Sequence, residues 1–507
     1  MKNLLTNIWA RDWVRRLTWR TLTLVTLIIL LGTWLDHRWA RQWQSMKQRL
    51  ADSGETTDFR RITTEPLPEA KNFCAIPLLK DISLDTREAE EKRQTIERYC
   101  LPKEQEKRLR PDLASGATLG TPVDLEAWGL FLQGSAADQT ALPSGRGAER
   151  VRAWAKPGDS FFDELAAGLE RPSAQWTPPW KTRELPAVLL SATMPHYQTE
   201  MALAKTLRLR TSAAASLGEG ARAVDSLRIG LRLSEASFED PFLISLLVGL
   251  SQMNGVVNGI WDCAAAQSLD ADQWGLLSRE LRRIDLEDCL LRAFRGEMTA
   301  ACNAVDYIKW TGDFELTGEG RPVRRMGVPG GLLDANAATI CRLWLDYGIE
   351  PLKAGGFAAL VTAKPGLDAE MEALGRNPYL HADSFLASLM FPAVQKVTLQ
   401  AVHARCLIDM AITVCELERF HAENGAYPDN LDALGSVGPL PLDLLAAAPI
   451  HYRKLVEGRY RLWCVGLDGK DNGGVRNLDK ENPAKTKFHD PDHTGDWVWD
   501  YPSSSGQ

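Results

Sequence analysis

The sequence predicts a mainly α protein built from an N-terminal transmembrane helix, an irregular helical bundle and a small C-terminal α+β module with a three-stranded antiparallel sheet. Three observations carry this. Leu17 to Leu35 is an apolar stretch of bilayer length. From Ala187 to about Lys396, small and apolar residues recur at three- and four-residue spacing. Near the end, two alternating runs joined by Glu457-Gly458 precede a Trp-rich run. The 507 residues are 45% hydrophobic and 25% charged, enough apolar material for two or three cores of roughly 100–200 residues each. The formal charge of -7 and the absence of a basic tract exclude a general nucleic-acid binder.

Segment 1–39 reads as a cytoplasmic tail and transmembrane helix. "LTWRTLTLVTLIILLGTWL" carries only Arg20, placed where its stem can snorkel. Trp13, Trp19, Trp34 and Trp39 flank it as an interfacial belt, and Lys2, Arg11, Arg15, Arg16 and Arg20 lie on its N-terminal side. That bias puts the N-terminus in the cytoplasm and the bulk outside it, although Arg38, Arg41, Lys47 and Arg49 follow the span. "GTWLDHRWARQW" lacks the small-x-small pattern of a signal-peptide cleavage site, so the span is expected to be retained. The expected location is the cell inner membrane, single-pass, with the lipid bilayer as the first partner.

Segment 40–115 is charge-rich. "REAEEKRQTIERYCLPKEQEKRLRP" reads as a solvated stalk or peripheral helix with Glu/Arg and Glu/Lys neighbours at helical spacing. Cys74 and Cys100 bracket this stretch as candidates for one disulfide. Cys263, Cys289, Cys302, Cys341, Cys406 and Cys415 lie among apolar helical residues and read as small buried hydrophobes.

Segment 116–396 is expected to be a helical domain with a loop-rich cap, the cap ending near Pro186. In the helical part, "SFEDP" stops one helix and restarts another, with Asp240 as the expected N-cap and Pro241 at the first helical position. Asp270 or Ser268 caps a later helix. Ala214, Gly218, Ala221, Ala223, Leu227, Gly230 and Leu231 resemble one tetratricopeptide-like hairpin. An irregular bundle is the first choice, because no constant period follows.

Segment 397–507 is the α+β module. Its helix places Leu399, Val402, Cys406, Met410, Val414 and Leu417 on one stripe, with Arg405, Asp409, Glu416 and Arg419 facing elsewhere. Asn424-Gly425 ends it with a left-handed turn, and "YPDNLDAL" restarts a short helix with Asp429 as N-cap and Asp432 three positions later. Ile450–Val456 and Arg459–Val465 form a hairpin, and "DWVWDYP" a third strand with Trp497, Trp499 and Tyr501 on one face.

"ERFHAENGAYPDNLDAL", the hairpin, "YRLWCVGLDGKDNGG" and the closing "GDWVWDYP" resemble the globular head of the type II secretion major pseudopilin, with its ERY-x-x-x-x-G-x-YP and GADG-x-x-GG patterns. Over nearly the whole chain, the arrangement also resembles uncharacterised single-span membrane-anchored helical proteins of planctomycete-like bacteria. The departures from the pseudopilin are large. About 360 residues separate span from head, the cleavable leader pattern is missing, the Asp-Pro-Trp-Gly turn is replaced by "PLDLLAAAPI", and a serine position is Cys464. Polymerisation in the pilin manner is therefore not expected. The pseudopilin resemblance implies a calcium loop at the carbonyl of Val465, at Asp468 and at Asp496. Asp471, Asn472, Asn477 and Asp479 could add the oxygens that calcium's six to eight positions need. An Asx/Gly-rich loop facing water is the alternative.

"FHDPDHTGDW" holds His489 and His493 beside Asp490, Asp492 and Asp496, but Pro491 and Gly495 make it a polar turn rather than a helical metal site. His403 and His421 on the module's helix read as surface or satisfied-core residues rather than catalytic ones. The chain contains no Gly-x-Ser-x-Gly, Walker, HExxH or dinucleotide motif. The expected function is thus a membrane-anchored envelope protein with a structural or protein-interaction role in secretion or assembly, with envelope proteins as partners. The alternatives are a membrane-anchored hydrolase using the terminal Asp/His loops and a Trp-rich carbohydrate- or peptide-binding surface.

Overall fold

The computed structural model describes residues 12–63, 65–102, 111–113, 119–135, 145–178, 194–311, 330–375, 382–435, 438–455, 458–478, 486, 488, 490 and 493–501. Expectations resting on Lys2, Arg11, Glu457, Asp479, His489 and Asp492 lie outside the described residues.

Helix α1 (Asp12–Asp52) runs 41 residues without a break. Its apolar side chains from Leu17 to Leu31 are exposed, and the hydroxyls of Thr18, Thr21, Thr23, Thr26 and Thr33 each donate to the carbonyl four residues back. Those hydroxyl donors are thereby satisfied within the helix, as a bilayer interior requires. The last turns differ. Trp43, Met46 and Leu50 are buried in the main core, and Arg49 pairs with Asp346 at 2.5 Å.

A first layer of elements follows: α2 (Arg87–Glu97), α3 (Leu125–Ser135), α4 (Gly147–Ala155) and α5 (Asp159–Ala167). Helix α2 is not a free-standing solvated helix. Ala89, Arg93 and Ile96 are buried, and Arg93 donates to the carbonyls of Ile82 and Leu84 at 2.6 and 2.9 Å. The side chain that looked like a surface charge staples the preceding turns. Phe73, Leu79, Ile82, Phe161, Leu165 and Trp176 form a second apolar cluster with Leu203, Leu207, Ile229 and Leu233. Cys74 and Cys100 also lie in that cluster, yet all nine cysteines are free, so the expected bridge is absent.

The bundle proper comprises α6 (His196–Ser216), α7 (Gly220–Phe238), α8 (Leu243–Ala266), α9 (Ala271–Leu281), α10 (Leu286–Thr311), α11 (Gly330–Trp344), α12 (Glu350–Gly375) and α13 (Phe385–Asn424). Helices α6 and α7 are a tight hairpin, as the small residues predicted. Asp270 caps α9 in a reciprocal box with Gln273. Helix α8 starts at Leu243 with Phe242 as its cap. Asp240 is not the cap, because its carboxylate turns inward to Tyr197. Gly296 on α10 sits where a Cβ would run into the Pro241 carbonyl oxygen, so this crossing admits glycine alone.

Helix α13 is the central strut. Its predicted stripe is buried, but so are Asp409 and Glu416, which were expected to face outward. Other elements surround the helix on that side too: Glu416 accepts from Ser278 at 2.7 Å and pairs with Arg419 at 2.9 Å, and Asp409 pairs with Arg405 at 2.9 Å. Gly425, at φ 75°, ends α13 and returns its N–H to His421. The next short turn, Leu431–Ala433, has Asn430 at its cap position. Asp429 instead pairs with Lys454 at 2.8 Å.

Strands β1 (Leu442–Asp443) and β2 (Ala448–Pro449) form a small ladder. Strands β3 (His451–Lys454), β4 (Tyr460–Cys464) and β5 (Trp497–Trp499) make the antiparallel sheet in the order β3-β4-β5. Tyr452 pairs with Leu462, and Leu462 with Trp499. Tyr460, Leu462, Cys464, Trp497 and Trp499 are buried in the same core as α13, and Cys464 contacts Cys406 across that interface. The C-terminal module therefore shares its core with the bundle.

Among the described residues, three helices are long and apolar enough to cross a membrane: Trp13–Asp52, Leu243–Ala266 and Lys396–Asn424, with 0%, 67% and 78% of their most apolar windows buried by the rest of the chain.

Candidate functional site

The residues of the expected calcium loop come together only in part. Asp496 is fully buried, and its carboxylate accepts from the backbone N–H of Asn472 at 3.1 Å through both oxygens and from Gly474 at 2.7 Å. It acts as a latch closing the Asx-rich loop onto β5. Asp471 accepts from the indole N–H of Trp463 at 2.9 Å and from Gly473 N–H at 2.8 Å. Those bonds hold its carboxyl below the ordinary range, the Gly473 bond contributing most. Asp468 accepts from Lys470 N–H at 3.2 Å in a local turn. Val465 donates its N–H to Asp443 at 2.7 Å. The side chain of Asn472 donates to the Lys470 carbonyl at 3.2 Å.

The carboxylate oxygens of this loop are thus committed chiefly to N–H groups. Among the described residues, no group of three or more His, Cys, Asp or Glu side chains is placed to hold a metal ion. His493 lies in the same loop, with Nε2 at 2.9 Å from the Asn477 carbonyl.

The head junction is more organised than its sequence suggests. Glu418 accepts from the hydroxyls of Tyr427 and Tyr460 at 2.9 and 2.8 Å, and His421 stacks on Tyr427 at 4.3 Å. The "ERFHAENGAYP" pattern therefore joins the end of α13 to β4 through one buried carboxyl.

A denser constellation lies elsewhere, between α6, α7 and α8. His196, Glu200, Ser237, Asp240, Ser245 and Gln252 are buried, none more than 4% exposed. Ser237 and Gln252 both donate to Glu200 Oε2, at 2.8 and 2.9 Å. Tyr197 donates to Asp240 at 3.3 Å and its hydroxyl contacts that of Ser245. His196 Nε2 faces Glu200 Oε1 at 3.4 Å, and neither ring nitrogen has a hydrogen-bond partner. Trp176 packs edge-on to the imidazole at 5.6 Å.

Burial sets the charge state. It pushes the Glu200 carboxyl up to about 8 and Asp240 up to about 7, the latter helped by neighbouring Glu239. Burial, with Arg93 in support, pushes the His196 imidazole down to about 3. At neutral pH both His196 and Glu200 are therefore uncharged. Because Glu200 Oε2 already accepts twice, its proton belongs on Oε1, facing the imidazole. The group is buried, so it offers no surface to a substrate.

Sequence reasoning missed this cluster. The available signal was His196-x-x-x-Glu200 on one helical face, together with Ser237, Ser245 and Gln252 at positions the helical pattern makes internal. A second buried pair lies nearby, Arg208 with Asp262, the latter also bonded by Ser212 at 2.6 Å.

A cavity of about 670 Å³ opens where α1 meets the body. Lys47, Arg61, Arg292 and Arg295 line it with Glu55 and Asp288. Glu55 is bound by Arg295 at 2.7 Å and Lys353 at 3.0 Å. The groove is polar and charged, and Asp468, Asp471 and Asp496 are not among its lining residues.

Compared with protein-family models, with curated proteins and with solved structures, the chain finds no match.

Proposed function

We propose that the chain is a single-pass inner-membrane protein whose extracytoplasmic helical body has a structural or protein-interaction role, in envelope assembly or secretion. The observation that carries this is α1. Its apolar first part is free of protein contact, while Trp43, Met46 and Leu50 of the same unbroken helix lie in the main core. Anchor and body are one rigid unit, so the body is presented at a fixed height and orientation. Helices α8 and α13 match a span in length, but they carry buried ion-pairing groups such as Asp262, Asp409 and Glu416 and pack inside protein, which favours a single span.

The open polar groove at the anchor–body junction supports interaction. A hydrolase built on the terminal Asp and His residues would need free carboxylates, and Asp471 and Asp496 are tied to N–H groups. Cross-linking the full chain in its native membrane, then identifying what co-purifies, tests the role. Recovery of a reproducible envelope partner is expected; recovery of the chain alone would remove the assembly reading. Protease protection of the body in right-side-out and inverted vesicles tests the topology.

A further inference from the structure

Cys302 lies on α10 and Cys341 on α11, and their sulfurs stand 3.0 Å apart. Both are buried, 2% and 0% exposed, in the main apolar core. Ordinary nonbonded heavy-atom contacts lie at roughly 3.5–4.0 Å, so the two sulfurs are closer than unbonded packing places them. A disulfide needs about 2.05 Å between sulfurs, so bonding would draw these two together by roughly 1 Å. The thiols point at one another from helices that pack side by side. The arrangement differs from the pair that chain position alone suggested, Cys74 and Cys100, which carry no such contact in the second cluster.

We propose that Cys302 and Cys341, free but touching thiols in this structure, oxidise to a structural disulfide that staples α10 to α11. The proposal rests on the body lying outside the cytoplasm, where thiols meet oxidants. The step is exchange with a disulfide donor, a thiol–disulfide oxidoreductase in the cell or glutathione disulfide in the tube. The two thiols lose two protons and two electrons, the Sγ–Sγ bond forms, and the donor's disulfide is reduced to two thiols. The Cys302 thiol in the closed core is held protonated, by the hydrogen bond with Cys341 first and burial second. Since a thiolate is the attacking species, the transfer takes place during folding, before α11 docks. The staple joins a helix on the anchor to one beside the segment that follows it: α11 packs along α1, where Gly331 N–H donates to Asp36, and Asn303 beside Cys302 on α10 donates at 3.3 Å to the carbonyl of Thr57, just beyond α1. It would therefore stiffen the base of the body rather than its far end.

The test uses the full chain in two samples. In the first, native membranes are denatured in N-ethylmaleimide without reductant, and the protein is digested and mapped by mass spectrometry. In the second, the purified full chain is unfolded, reduced, and refolded in detergent with a glutathione redox buffer before the same mapping. A peptide pair linking Cys302 to Cys341 in both samples is the expected result. A link only after refolding supports the pairing and overturns the extracytoplasmic reading. Both cysteines recovered as separate alkylated thiols in both samples would overturn the pairing. Reductant should also lower the thermal midpoint of the wild type by roughly 5 °C and leave that of a C302S/C341S double variant unchanged; equal responses of the two would count against the staple.

Discussion

Replacing Glu200 by Gln changes one buried carboxyl into a neutral amide of the same shape, and the structure sets both the sign and the size of the effect. The unfolded chain ionises this group near its ordinary 4.5, whereas the folded chain holds the proton to about 8. Between those values the native state binds the extra proton, so stability falls as pH rises and levels off above 8. At about 1.4 kcal/mol per pH unit, the full difference approaches about 5 kcal/mol. His196 works in the opposite sense. Its folded value near 3 lies below its ordinary 6.5, so the unfolded state gains the proton as pH drops from 6.5, and stability falls toward acid.

In the wild type the two contributions oppose each other between pH 4.5 and 6.5, leaving a decline from 6.5 to 8. In Glu200→Gln only the histidine contribution of the pair remains, so its share of stability rises with pH to 6.5 and is flat beyond. The amide oxygen can keep the bonds from Ser237 and Gln252, and the amide N–H gains the unpaired imidazole nitrogen of His196 as an acceptor. The variant should therefore be more stable than wild type above pH 8, by about 3–5 kcal/mol. Urea unfolding of both full-length proteins in detergent, followed by tryptophan fluorescence at pH 5, 6.5 and 8.5, measures the difference. Asp240 is present in both proteins and largely drops out of the comparison. Parallel pH profiles would refute a protonated, buried Glu200.

Asp496→Ala leaves the N–H groups of Asn472 and Gly474 without their acceptor and should cost about 2–4 kcal/mol in chemical denaturation. Calcium chelation should not move the thermal midpoint of the wild-type chain, because this carboxylate is already committed; a rise of several degrees on adding calcium would restore the ion to the loop. Gly296→Ala drives a methyl into the Pro241 carbonyl and should destabilise the α8–α10 crossing by about 3 kcal/mol, read as a lower urea midpoint.

What could be read from the sequence was local chemistry. The apolar length of α1, the Asp270–Gln273 capping box, the Asn424-Gly425 turn and the alternation of β4 each depend on near neighbours, and each appears as expected. Where tertiary contacts competed, local rules misplaced side chains. Asp240 had the position of an N-cap but found Tyr197, and Asp429 had the position of a cap but found Lys454. Asp409 and Glu416 looked solvent-facing because a one-sided stripe was assumed, whereas α13 is enclosed on several sides. The cluster around His196 was illegible for a related reason: its members come from three helices and the turn holding Asp240, and none is unusual within its own segment.

The continuity of α1 into the core also constrains how any partner is met. A flexible tether would let the body search a wide volume, and its affinity for a membrane-bound partner would depend on effective concentration. Here Arg49 is paired with Asp346, and Glu55 just beyond α1 is held by Arg295 and Lys353. The helix therefore cannot swivel against the body without breaking charged contacts and uncovering Trp43, Met46 and Leu50. The groove lined by Lys47, Arg61 and Arg292 lies at a height set by α1 itself. At 1.5 Å per residue, Lys47 stands about 18 Å along the helix from Leu35, beyond the reach of lipid headgroups around a retained span. A partner using that groove is thus expected to be a protein projecting from the same membrane, not the bilayer surface.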